Sequence, residues 1–234
     1  MNAERPPPRQ LAFSLPHRPA SGRADFLTGA ANYEAITLID RWPDWPVRVV
    51  NLFGPVGSGK SHLTEIWRRA SGAAVIAAPA LSRSDAEMML AAGAVAVEDL
   101  HGKFDEEALF HLLNLAGERN TPVLLTSRNA PAASYVALPD LASRLRAAQP
   151  VRLAEPDDYL LRHVLAKLFA DRQLAVAPAV IDYIVTRLDR SLEAANIIVE
   201  RLDREALAEG RAITRRLAGA ALGEGLDAAF DEDA

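Results

Sequence analysis

A chain of 234 residues that is 50% hydrophobic and 24% charged has the material for one large or two small globular domains, which excludes a fibrous or wholly disordered protein. It has no cysteine, so a disulfide framework and a Cys-ligated zinc are excluded, and no apolar run long enough to span a bilayer, so a cytoplasmic protein without membrane partners is expected. The net charge of -5 equals the five acids Glu224, Asp227, Asp231, Glu232 and Asp233; the remainder sums to zero, so autonomous sequence-specific DNA binding is not expected.

Residues 1–23 hold Pro6, Pro7, Pro8, Pro16 and Pro19 and read as an extended arm. Order is expected from about Phe26, with a helix over 32–41 ending before Trp42-Pro43-Asp44-Trp45-Pro46. The pattern then alternates. Strands are expected at 47–53, 73–77, 94–98, 122–127 and 150–153, and helices at 60–70, 84–92, 105–119 and 140–146. Such alternation implies a parallel sheet covered on both faces. After Glu155 the period becomes helical throughout: Pro156-Asp157-Asp158 starts one helix, 178–188 forms a second, Ser191 caps a third and 214–222 a fourth. The expected organisation is an arm (1–23), an α/β base domain (24–154), a small all-α lid (155–222) and an acidic tail (223–234). Trp42, Trp45 and Trp67 are expected to pack between the base domain and the segment leading into it, and Met88-Met89 to be core.

Gly54-Pro55-Val56-Gly57-Ser58-Gly59-Lys60-Ser61 is a complete G-x-x-x-x-G-K-[ST] phosphate loop, placed after a buried strand and opening a helix. Its glycines let backbone N–H groups face an anion, Lys60 adds a charge at the terminal phosphates, and the Ser61 hydroxyl can hold Mg²⁺. Ala94-Val95-Ala96-Val97-Glu98-Asp99 has the shape of a Walker B strand with its acids reversed. Glu98 can reach the hydration shell of the metal; Asp99, in the water-polarising position, is one methylene short of the usual glutamate. Nucleotide binding is expected, with at most slow hydrolysis. The five histidines form no metal-ligand spacing.

With His62-Leu63 added, the loop resembles that of the DnaA branch of AAA+ proteins, and other matches follow in family order. Phe26-Leu27-Thr28-Gly29-Ala30-Ala31-Asn32 is similar to the segment near the adenine, which implies roles for Phe26, Gly29 and Asn32 in binding ADP or ATP. Leu124-Leu125-Thr126-Ser127 is similar to the sensor 1 strand, with Ser127 as candidate and Arg128 where the family often has an acid or amide. Leu141-Ala142-Ser143-Arg144-Leu145 resembles the segment bearing the arginine finger, implying that Arg144 acts in trans on a neighbour's nucleotide. Arg190-Ser191-Leu192-Glu193-Ala194-Ala195 resembles the sensor 2 segment, implying that Arg190 contacts nucleotide.

No DNA-reading helix-turn-helix segment is expected after the lid, and the arm offers a replacement. Gln10-Leu11-Ala12-Phe13-Ser14-Leu15 resembles the Gln-Leu-x-Leu-x-Leu peptide that docks on the bacterial β sliding clamp, with Gln10, Leu11, Phe13 and Leu15 as the contacts. Together the resemblances imply a regulatory relative of DnaA, ADP-bound when active, with DnaA and the clamp as partners. The alternative is an autonomous ATPase such as a helicase loader, and a nucleotide-gated scaffold is a third reading. Self-association is open under all three.

Overall fold

The computed structural model describes residues 22–130 and 136–223, so Gln10, Leu11, Phe13, Leu15 and the acidic tail lie outside the described residues. These residues fall into two compact units that meet in sequence at Asp157–Asp158.

The first unit holds a five-stranded sheet in the order β2-β3-β4-β1-β5, every neighbouring pair parallel. Its strands are β1 (Val49–Phe53), β2 (Ala74–Ala77), β3 (Val95–Glu98), β4 (Val123–Ser127) and β5 (Gln149–Arg152). The helices are α1 (Tyr33–Asp40), α2 (Lys60–Ser71), α3 (Asp85–Leu90), α4 (Glu106–Arg119) and α5 (Pro139–Ala147). Period-two geometry divides the strand residues between two cores. Val123 and Leu125 face one core with α3, α4 and α5, while Leu124, Val50 and Leu52 face the other with α1 and α2. In α4, Asp105 caps the first turn by accepting from the Ala108 N–H at 2.9 Å, Glu106 and Glu107 complement the helix dipole, and Asn120 closes the far end at φ 59°.

Strand and helix bounds fall within a few residues of those expected. Both tryptophans after α1 pack against Trp67 of α2: Trp45 stacks on it at 4.9 Å and Trp42 meets it edge-on at 5.4 Å. Only half of the methionine expectation holds. Met89 is buried, but Met88 is 70% exposed, because α3 is just six residues long and has a single face on the core.

The second unit consists of α6 (Asp158–Asp171), α7 (Pro178–Val185), α8 (Leu192–Glu209) and α9 (Arg215–Gly223). Its core, built around Leu161, Phe169, Ile184, Val199 and Leu202, is drawn wholly from its own helices and their connections. Ser191 caps α8 by accepting from the Glu193 and Ala194 N–H groups.

Candidate functional site

Because all five strands run the same way, their carboxyl ends share one edge of the sheet, where ligands of open α/β sheets bind. The loop 54–59 leaves β1 at this edge, Glu98 ends β3, and Ser127 ends β4 level with Phe53. With β4 between them, β1 and β3 are about 10 Å apart.

The glycines of the loop do different jobs. Gly57 and Gly59 stand at φ 70° and 101°, where a side chain would be strained. Gly54 is set by packing instead: a Cβ there would lie 2.2 Å from the Leu153 carbonyl oxygen just past β5. α2 then starts with no side-chain cap and no acid in its first turn, leaving N–H groups and the positive dipole end for an anion. Lys60 lies within the loop, its Nζ donating to the Gly54 and Pro55 carbonyls at 2.8 and 2.7 Å. Pro55 and His62 are part-exposed, Val56 and Ser61 exposed.

These residues fit a nucleotide with Mg²⁺. Ser58 Oγ and Glu98 Oε1 are buried without a hydrogen-bond partner among the described residues, which would cost about 1–3 kcal/mol each if nothing met them. Ser61 and Glu98 would hold the ion, and the uncapped start of α2 would receive the phosphates.

The segment 26–32 is closed on itself by Asn32 and held to its surroundings at two points. Phe26 meets the His62 ring edge-on at 5.2 Å. The buried Asn32 accepts from the Gly29 N–H at 2.8 Å and donates to the Leu27 carbonyl at 3.0 Å. Ala154 N–H donates to the Ala31 carbonyl at 2.9 Å. Thus Phe26, Gly29 and Asn32 shape one turn, and Phe26 joins it to the phosphate-loop helix.

Asp99 takes φ 61°, its N–H donating to Thr126 Oγ1 at 3.0 Å, and its side chain is exposed. Ser127 is buried, its Oγ 2.7 Å from the Asn129 carbonyl and 3.1 Å from Asn51 Oδ1, so its hydroxyl is engaged within the protein. Sequence reasoning missed His101. Its Nδ1 lies 3.9 Å from Asp99 Oδ1, and its pKa is pushed down by burial and by the charges of Arg128 and Lys60, against the pull of Asp99. The three-residue step from Glu98 to His101 was the available signal.

Arg144 is not part of this edge. α5 leads straight into the start of β5, and Arg144 lines a cleft of about 410 Å³ with Pro46, Val47, Arg48 and Val49, which lead into β1. The length of β1, about 17 Å, separates that end of the sheet from Gly54. Arg144 is exposed and has no ion-pair partner among the described residues. In the second unit, Arg190 precedes α8 and pairs with Asp158 at 3.0 Å.

Comparison with solved structures places this arrangement. Domain III of the replication initiation protein DnaA from Thermotoga maritima superposes with a TM-score of 0.73 at 15% identity, over 90% of this chain and 98% of that one. The chain has the AAA+ fold. A replication initiator DnaA bound to AMPPCP and single-stranded DNA matches with a TM-score of 0.67 at 18% identity, over 82% of this chain and 69% of that one. The Thermotoga maritima RuvB Holliday junction branch migration motor gives 0.62 at 17% identity, over 82% and 66%. At these identities the AAA+ likeness is one of fold. No protein-family model and no curated protein matches the sequence. Among the described residues no helix is long and apolar enough to cross a membrane.

Proposed function

We propose that this AAA+ protein is a DnaA-related regulator of the Hda type: it binds adenine nucleotide, docks on the DNA polymerase III β sliding clamp and stimulates hydrolysis of ATP held by DnaA, limiting re-initiation of replication. The observation that carries the reading is the position of Arg144. A guanidinium that is exposed, free of ion pairs among the described residues, and a full strand length from its own phosphate loop is suited to another molecule's nucleotide. A finger supplied in trans stabilises transition-state charge and is worth roughly 10³–10⁵ in rate.

The nucleotide, ADP in the active form, lies on 54–62 with Phe26, Gly29 and Asn32 beside it, Mg²⁺ on Ser61 and Glu98, and Arg190 as its reporter in the helical unit. Lys60 and the start of α2 bind and orient the phosphates, while Ser127 at the end of β4 keeps the sensor 1 position that its motif implies and Asp99 the second acid of the Walker B pair. Asp99, turned out at positive φ, is poorly placed to polarise water, which favours slow turnover of the bound nucleotide. Gln10, Leu11, Phe13 and Leu15 supply the clamp contact.

The test measures hydrolysis of ATP preloaded on DnaA with this protein, ADP and DNA-loaded clamp. Wild type should stimulate, while Arg144→Ala and Gln10→Ala/Leu11→Ala should both lose the effect. Turnover by this protein alone, with none on DnaA, would replace the regulator by an autonomous ATPase.

A further inference from the structure

The helical unit carries a feature that nucleotide binding does not use. The Arg187 guanidinium carbon lies 3.8 Å from the centroid of the Tyr183 ring, and its Nη1 donates to Thr186 Oγ1 at 2.9 Å and to the Tyr183 carbonyl at 3.3 Å. Arg215, the first residue of α9, reaches the same ring at 5.4 Å. Both arginines are exposed, and neither has a carboxylate partner among the described residues. Elsewhere in this unit Arg162, Lys167, Arg172, Arg190 and Arg201 each face an acid, while Arg204 and Arg216 have no ion pair among the described residues; Arg187 and Arg215 differ from those two in sharing one aromatic ring.

Two guanidiniums on one ring are at most the sum of those distances apart, close enough to repel at 0.1 M salt, where the screening length is about 10 Å. An anion beside both relieves that repulsion and gains charge-assisted hydrogen bonds. We infer that Arg187, Tyr183 and Arg215 form an anion-binding site whose occupant is the acidic segment Glu224–Asp233 of the same chain.

Chain connectivity and charge select that occupant. α9 passes over Tyr183 so closely that a Cβ on Gly219 would sit 3.0 Å from the Tyr183 hydroxyl oxygen. Arg215 lies one turn before Gly219 and Gly223 one turn after it, so the chain leaves α9 about 6 Å along the axis from the ring. Asp227 is four residues further on, within about 13 Å of extended reach, and Asp231, Glu232 and Asp233 follow. Residues 224–234 contain five acids and no base, which accounts for the whole net charge. A linker this short holds the acids at millimolar effective concentration, enough for weak ion pairs to be populated.

Docking would screen the lid arginines from other polyanions. The chain has no cysteine, so Ala229→Cys gives a single nitroxide position that keeps all five acids. Nuclear resonance of the full chain should show the amides of 183–187 and 215–216 broadened several-fold by the label. The effect should fall at 0.5 M salt and, in Arg187→Gln/Arg215→Gln, drop to the lower level that the short tether alone gives. Equal broadening in that variant, with its helix content intact, would overturn the site, as would no broadening in wild type. Broadening seen only when labelled chains are mixed with unlabelled isotope-enriched ones would assign the occupant to a second copy and overturn the same-chain contact.

Discussion

Replacing Gly54 with alanine probes the packing of the phosphate loop rather than its affinity for phosphate. The added Cβ would sit 2.2 Å from the Leu153 carbonyl oxygen and 3.2 Å from the Leu153 Cβ, an overlap of more than 1 Å with backbone atoms that β1 and β5 hold in place. Overpacking of this kind costs about 1–3 kcal/mol, and a backbone obstacle sets the upper end, about 3 kcal/mol. For a protein of this size that is a drop of roughly 6–12 °C in Tm. Two controls separate overlap from the loss of glycine itself. Gly72→Ala meets nothing within 4 Å but sits at φ 72°, so it should cost about 1 kcal/mol. Gly117→Ala lies inside α4 with open space around it and should stabilise by about 0.5–1 kcal/mol. Scanning calorimetry of the three variants should rank Gly54 as by far the most damaging. A Gly54→Ala protein melting within about 2 °C of wild type would refute the close-approach argument.

Ser191→Ala removes the acceptor for two N–H groups at the start of α8 and should cost about 1 kcal/mol in urea, with Ser191→Asp recovering most of it. Glu65 is held down to about 2 chiefly by its hydrogen bond from Arg68, with Arg69 helping and burial opposing. Because the folded pKa is depressed, its stabilisation is present above about pH 4.3, the unfolded value, and is lost as pH falls through about 2. The pair is partly exposed, so Glu65→Gln should cost no more than about 1 kcal/mol at pH 7 and nothing at the acid end. A carboxyl titration midpoint near 4 would contradict this. Trp67→Ala, opening a space where the side chain is fully buried, should cost about 3–5 kcal/mol by chemical denaturation.

The phosphate loop was readable because four fixed positions within eight residues carry it, and the helices because their apolar spacing is local. The reason for Gly54 was not, since its obstacle, Leu153, is a hundred residues away and arrives only when β5 pairs with β1. Ser127 was readable as a strand-end hydroxyl, but its engagement with Asn51 depends on the register that sets Phe53 opposite Ser127. His101 went unnoticed for the same reason: the charges that act on it come from the start of α2 (Lys60) and from just past β3 (Asp99) and β4 (Arg128). Met88 was misplaced because pattern alone does not show that α3 stops after six residues.

The aromatic stack on α2 gives this protein an optical property. Trp42, Trp45 and Trp67 are all of its tryptophans, and they form one cluster in the sheet-bearing unit. Emission excited at the red edge of the near ultraviolet therefore comes from that unit alone, and two indoles stacked 4.9 Å apart, 11° from parallel, give a coupled ellipticity band. Trp67 stands two helical turns from Lys60 on the same rigid helix, so a displacement of the phosphate loop is transmitted to the chromophores as a change in signal. The protein carries its own dye, and unlabelled material is sufficient to watch that loop in real time.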